Sequence, residues 1–348
     1  MSKEPPVIAK IEGKAGRLTL NRPKALHALD QLMCEIMIHA LVEWRDHDEV
    51  EFILVDHAEG TRGFCSGGDI RMLAESGRGD GSVACEFFAT EYRLNTLIHN
   101  YPKPYIAVLD GVTMGGGVGI SVHGDVRIAT ENTIFAMPES GIGLFPDVGG
   151  GWFLPRLEGE LGMWLALTGA RLKGEDVLAA GVATHFAPAA SLPALKAELV
   201  AEGPSALKGL KTEATGSWSE HQGLIDGCFG QPTLEAVFSA LEASGDDWAA
   251  KQLAALKTKS PTTMKVAMRQ LREGGAMTRF EDNMRMEFRI GSRIVRSSDF
   301  IEGVRAVIVD KDNAPKWSPT DLSSVTDADL DSIFAPLGTD DLTFIDGD

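Results

Sequence analysis

Twice in this chain an apolar run of strand length ends in a cluster of glycines, and that repeated junction constrains the fold more than any other feature. Residues 50–56 (VEFILVD) run into the turn GFCSGGDI at 63–70, and Tyr105–Leu109 runs toward Gly115, Gly116, Gly117 and Gly119. Adjacent glycines between a strand and a helix leave backbone N–H groups uncovered, so a ligand can approach closely and the amides can point at it. The same cluster also suits a tight turn with close helix packing. It does not suit a nucleotide loop: G-x-G-x-x-G fails in every register from Gly115 to Ile120, and G-x-x-x-x-G-K-[ST] is absent from the sequence.

Around these junctions the pattern alternates between strand and helix. Residues 7–12 and 17–20 read as a hairpin, broken by Asn21-Arg22-Pro23. From Asp30, placed as an N-cap, the apolar positions Leu32, Met33, Ile36, Met37, Ala40, Leu41 and Trp44 follow helical spacing. A βα alternation calls for a parallel sheet with helices packed against it, binding ligands at the carboxyl ends of the strands. Both glycine turns are therefore expected to face one pocket. From about residue 192 the chain becomes helix-rich, with runs at 233–243, 246–257, 262–272 and 276–295, and 203–231 is the least regular part. The expected organisation is a core at 1–190, a mostly helical region at 191–336 and a loosely packed acidic tail at 337–348.

Two carboxylates stand eight positions apart around a third glycine-dense turn: Glu139 after Met137-Pro138, and Asp147 before Val-Gly-Gly-Gly. Each has a plain structural reading, Glu139 as a solvated strand end and Asp147 as a helix N-cap. A net charge of −17 and a pI near 4.9 argue against nucleic acid or an anionic membrane as a partner. No apolar run of 18 residues and no signal-peptide pattern is present, so a soluble, cytoplasmic protein is expected. Cys34, Cys65, Cys85 and Cys228 form no C-x-x-C pair and the eight histidines are dispersed, so neither disulfides nor a metal site is expected.

Three linked motifs, FCSGGDI (64–70), DGVTMGGG (110–117) and MPE (137–139) followed by the glycines 143–151, resemble in order and spacing the crotonase (enoyl-CoA hydratase/isomerase) superfamily. Within it, FAMPESGIGLFPDVGGGWFLPRL and EGVRAVIVDKDNAPKW (302–317) resemble the 3-hydroxyisobutyryl-CoA hydrolase sub-family, thioesterases of valine catabolism. The resemblance implies an α/β fold, a crotonase-like spiral of ββα units with a helical C-terminal region. It also implies an acyl-CoA substrate with no separate cofactor, and assembly into homo-oligomers.

Carried over residue by residue, the resemblance implies an oxyanion hole formed by the amides of Gly68 and Gly116, with Glu139 and Asp147 catalytic. Glu91, Gly116, Glu139 and Asp147 would contact substrate. Lys24, Ile70 and Arg71 are candidates for CoA contact by their proximity to the motifs rather than by the resemblance, and Lys24 and Arg71 also read as ordinary solvated charges. Family hydratases hold a second glutamate where this chain has Gly119, and usually have glycine where it has Asp147. That departure favours thioester hydrolysis, with Glu139 as base or nucleophile, over the alternative of an enoyl-CoA hydratase or isomerase. A non-catalytic acyl-CoA-binding protein is the third class, and retention of both glycines and both carboxylates speaks against it.

Overall fold

The structure is a computed structural model, and it describes residues 4–345. The chain folds into two compact units that interleave in sequence.

The first unit takes the chain up to Gly68, then Arg93–Phe135 and Leu172–Ser217. It contains ten strands: β1 (Val7–Glu12), β2 (Ala15–Leu20), β3 (Phe52–His57), β4 (Gly63–Cys65), β5 (Tyr105–Leu109), β6 (Val112–Met114), β7 (Val126–Ala129), β8 (Ile134–Ala136, its last residue beyond the boundary), β9 (Leu172–Lys173) and β10 (His185–Phe186). They form a six-stranded sheet, β1-β2-β3-β5-β7-β10, and a four-stranded sheet, β4-β6-β8-β9. Successive strand pairs β3/β4, β5/β6 and β7/β8 each give one strand to each sheet, which is the ββα spiral the resemblance implied. Pairing is parallel from β2 through β10 in the large sheet, and antiparallel only in the β1–β2 hairpin.

Alternation along the strands explains the core. Phe52 and Leu54, Ile106 and Val108, and Ile128 put one face of the large sheet against Leu192, Leu195 and Leu199 of the helix Leu192–Glu202. Strand neighbours point to opposite faces, so a run such as FILV that is buried throughout must be covered on both sides. The helix Gln31–Arg45 starts where expected, with Asp30 accepting from the Met33 amide at 2.9 Å.

The second unit takes Asp69–Tyr92, Ala136–Arg171 and the chain from Trp218. It is helical, and its long elements are the N-terminal part of the helix Ser82–His99, then Pro261–Ala276 and Phe280–Ile294. The helix Pro261–Ala276 comes so close to the glycine turn at 149–151 that a Cβ on Gly274 would sit 2.1 Å from the Gly151 carbonyl oxygen. The acidic chain end is tied down as far as Phe344. Asp341 accepts two-pronged hydrogen bonds from Arg289, Leu342 is buried, and the Arg285 guanidinium lies 5.0 Å from the centre of the Phe344 ring. Residues 346–348 of the expected tail lie outside the described part.

Candidate active site

In the first unit the two glycine turns meet. Gly67 (φ +111°) precedes Gly68, and Gly115 (φ +46°) precedes Gly116, so each candidate amide follows a backbone conformation that glycine adopts without penalty. A Cβ on Gly67 would lie 3.4 Å from the Met114 carbonyl oxygen and 3.8 Å from the Gly116 nitrogen. One on Gly117 would lie 2.5 Å from the Cys65 carbonyl oxygen. Gly116 opens the short helix Gly116–Gly119, where amides have no acceptor within the helix. Gly119 is buried at the end of that helix and brings no side chain. Lys24 lies exposed on the 23–25 turn, whose neighbour Leu26 accepts from the Ser66 amide at 3.1 Å.

The carboxylates gather in the second unit. Glu139 begins a 3-10 turn just after β8 and is 4% exposed, which overturns its reading as a solvated strand end. Its Oε2 is buried without a hydrogen-bond partner among the described residues. Burial, and then the neighbouring Asp147, hold its pKa well above the usual carboxylate range. Asp147 is 5% exposed and does not cap a helix: Gly149 occupies the N-cap position of Gly150–Phe153. Its Oδ2 instead accepts from the Tyr92 hydroxyl at 2.8 Å. Burial pushes the Asp147 carboxyl up to about 6, against the pull of the Tyr92 hydrogen bond.

Glu91, one position before Tyr92 on the helix Ser82–His99, is also buried, with Oε1 unpartnered among the described residues. Burial and then Asp147 raise its pKa well above the ordinary value. Ile70 and Arg71 open the helix Ile70–Gly77, capped by Asp69, and Arg71 is exposed. The strongest influences on Glu91, Glu139 and Asp147 are burial, one another and a tyrosine, and none is a lysine or arginine. Buried acids without a counter-cation cannot all ionise together, so they titrate as a coupled set. Among the described residues no group of three histidine, cysteine, aspartate or glutamate side chains is arranged to hold a metal ion, and no helix is long and apolar enough to cross a membrane.

Two residues of this cluster escaped the sequence reading. Tyr92 passed for one of the apolar positions of its helix. Glu287 is fully buried on the helix Phe280–Ile294 and accepts from the Gly149 and Gly151 amides at 2.7 and 2.9 Å. The signal was present for Glu287: Met284, Glu287, Ile290 and Gly291 share one stripe, and an acid on an apolar stripe must have buried partners.

A model of the enoyl-CoA hydratase/isomerase family matches residues 15–334. The chain belongs to that family. Among its family members, the chain is 44% identical to "3-hydroxyisobutyryl-CoA hydrolase, mitochondrial" of Gallus gallus, over 97% of this chain and 90% of that protein. The protein of the same name from Xenopus tropicalis is 46% identical, over 95% and 89%, and the human one 44%, over 97% and 90%. Two solved structures of the enoyl-CoA hydratase/isomerase fold superpose closely. One is a carnitinyl-CoA dehydratase from Mycobacterium thermoresistibile (TM-score 0.94, 38% identity, 98% of this chain and 99% of that one). The other is an enoyl-CoA hydratase from Rhodobacter sphaeroides 2.4.1 (TM-score 0.91, 39% identity, 97% and 100%). The mitochondrial names of the relatives overturn the expectation of a cytoplasmic protein. Composition and the lack of an 18-residue apolar run carry no record of the compartment in which a chain works.

Proposed function

We propose that this protein hydrolyses the thioester of 3-hydroxyisobutyryl-CoA to 3-hydroxyisobutyrate and CoA, a step of valine breakdown. The observation that carries the reading is the buried acid pair Glu139 and Asp147 in a chain whose Gly119 supplies no second glutamate. The hydrolase names of relatives 44–46% identical along nearly the whole chain support the same substrate.

In this reading the Gly68 and Gly116 amides donate to the thioester oxygen, where negative charge grows as the carbonyl carbon becomes tetrahedral. One such donor contributes about 3 kcal/mol to the transition state. Glu139 either takes a proton from the attacking water or adds to the carbonyl itself, giving a mixed anhydride that water then cleaves. On both routes a new C–O bond replaces the C–S bond, and the CoA thiolate leaves and takes up a proton. Burial that raises the Glu139 pKa also makes its carboxylate, once formed, a stronger base. Asp147, ionising near pH 6, orients the water or the 3-hydroxyl, and Glu91 supplies a further substrate contact. Lys24, Ile70 and Arg71 are assigned to the CoA moiety. The reaction needs water and no group beyond the substrate.

The test is thiol release from 3-hydroxyisobutyryl-CoA, run beside hydration of crotonyl-CoA followed by loss of enone absorbance. Fast thiol release with negligible hydration is the expected result. Hydration without thiol release would replace the hydrolase reading with that of a hydratase, the activity named for the Rhodobacter structure.

A further inference from the structure

Asp147 sits at the start of a strained turn. The Gly150 amide donates to the Asp147 carbonyl at 2.8 Å, closing a four-residue turn whose two central residues, Val148 (φ +52°) and Gly149 (φ +87°), are both left-handed. Glycine accepts that conformation freely. A β-branched valine does not, and a residue so placed persists only where its surroundings over-determine it.

The surroundings here converge on one carboxylate. Glu287 accepts the Gly149 amide on Oε2, and on Oε1 the Gly151 amide together with the side-chain amides of Gln270 (3.0 Å) and Asn283 (2.9 Å). Gln270 also donates to the Pro146 carbonyl at 2.7 Å, so the residue before Asp147 is held by the same group of side chains. A carboxylate is acceptor-only, and these four donors use both its oxygens. A glutamine would turn an N–H face toward donors and free at least one of them.

We propose that Glu287 is a positioning residue for Asp147, setting the strained 147–150 turn through the Gly149 and Gly151 amides and thereby aiming the Asp147 carboxyl that Tyr92 steadies. The proposal rests on the thioesterase reading, in which Asp147 is catalytic. Glu287 itself touches no reacting atom. Its carboxyl is pushed up to about 7, first by burial, and the charged or titratable neighbours that act on or with it are Asp147 and Tyr92.

The experiment is a double-mutant cycle on thiol release, comparing Glu287→Gln, Asp147→Asn and the pair. Thiol release by the unmutated protein is established first, and its absence counts against the hydrolase reading rather than against the role of Glu287. Displacement by about 1 Å costs on the order of 10²-fold in rate, so Glu287→Gln is expected to lower kcat by that order with KM little changed. In the Asp147→Asn background it is expected to add almost nothing, because the group it aims is already lost. Multiplicative losses, or a loss confined to melting temperature, would make Glu287 a fold clamp only and overturn the proposal. Gln270→Ala, which removes donors to both Glu287 and Pro146, runs through the same cycle should Glu287→Gln not fold. Amide hydrogen exchange at Gly149 and Gly151 gives a readout free of activity: protection unchanged in Glu287→Gln would also overturn the proposal.

Discussion

The Tyr92 hydroxyl donates to Oδ2 of Asp147 at 2.8 Å across 55 positions of sequence, and it opposes the burial that raises the pKa of that acid. A carboxylate with no cation beside it is kept ionisable near neutrality by a phenol. Tyr92 is fully buried, and its own pKa is raised by burial and by Asp147, so it remains a donor over the whole working range.

Replacing Tyr92 by phenylalanine keeps the ring, stacked at 5.7 Å on Phe88, and removes only the donor. A hydrogen bond to a charged group contributes about 1.5–3 kcal/mol. The Asp147 pKa should rise above about 6, and the acid limb of the kcat–pH profile should move to higher pH. An unmoved limb would show that Asp147 does not govern it.

Glu139→Gln should abolish turnover while acyl-CoA binding, followed by calorimetry, stays within a few-fold of the unmutated protein. Asp147→Asn should lower turnover with little change in melting temperature, because its side chain caps no helix and an asparagine oxygen can still accept from Tyr92. A large drop in melting temperature with turnover retained would return Asp147 to a structural role.

Stability should fall as pH rises from about 4 to 8. The folded-state pKa values of Asp147 (3.8 to about 6) and Glu287 (4.5 to about 7) are raised, so the native state binds more protons than the unfolded chain between those values. The contribution is fully present below the unfolded pKa and is lost as pH climbs through the folded one. Each pH unit between the two values is worth about 1.4 kcal/mol, so Glu287 alone accounts for roughly 3 kcal/mol. Urea titrations from pH 5 to 8 should show this slope, and Glu287→Gln should flatten it.

Gly117→Ala should destabilise by about 1–3 kcal/mol, because the added Cβ would meet the Cys65 carbonyl at 2.5 Å and push the two glycine turns apart. Gly227→Ala is the control. Gly227 also lies within a helix, Gln222–Phe229, but has nothing within 4 Å, so its substitution meets no neighbour and gains up to about 1 kcal/mol of helix propensity. No loss in Gly117→Ala relative to this control in urea titrations would show that close approach of the turns costs nothing.

What could be read from the sequence was local. Val7–Glu12 and Tyr105–Leu109 match the expected strands end for end, and Asp30 caps its helix as expected, because strand alternation, glycine at positive φ and a cap three residues from its donor are short-range. Parallel pairing followed from the βα order. Glu139 and Asp147 stood out by their spacing around a glycine turn, and the family resemblance gave them their roles; Glu91 came from the resemblance alone.

The tertiary structure decided what those acids are. Burial, which no local pattern records, made Glu139 an interior carboxyl, its Oε2 without a partner among the described residues, rather than a strand end. Asp147 became an acceptor for Tyr92 rather than a cap because its partner lies 55 residues away. Glu287 reaches the glycine turn across 136 and 138 positions. A helix of its period announces only that one face is buried; which polar group on that face meets which backbone amide is settled when distant segments pack, and there the sequence by itself has no say.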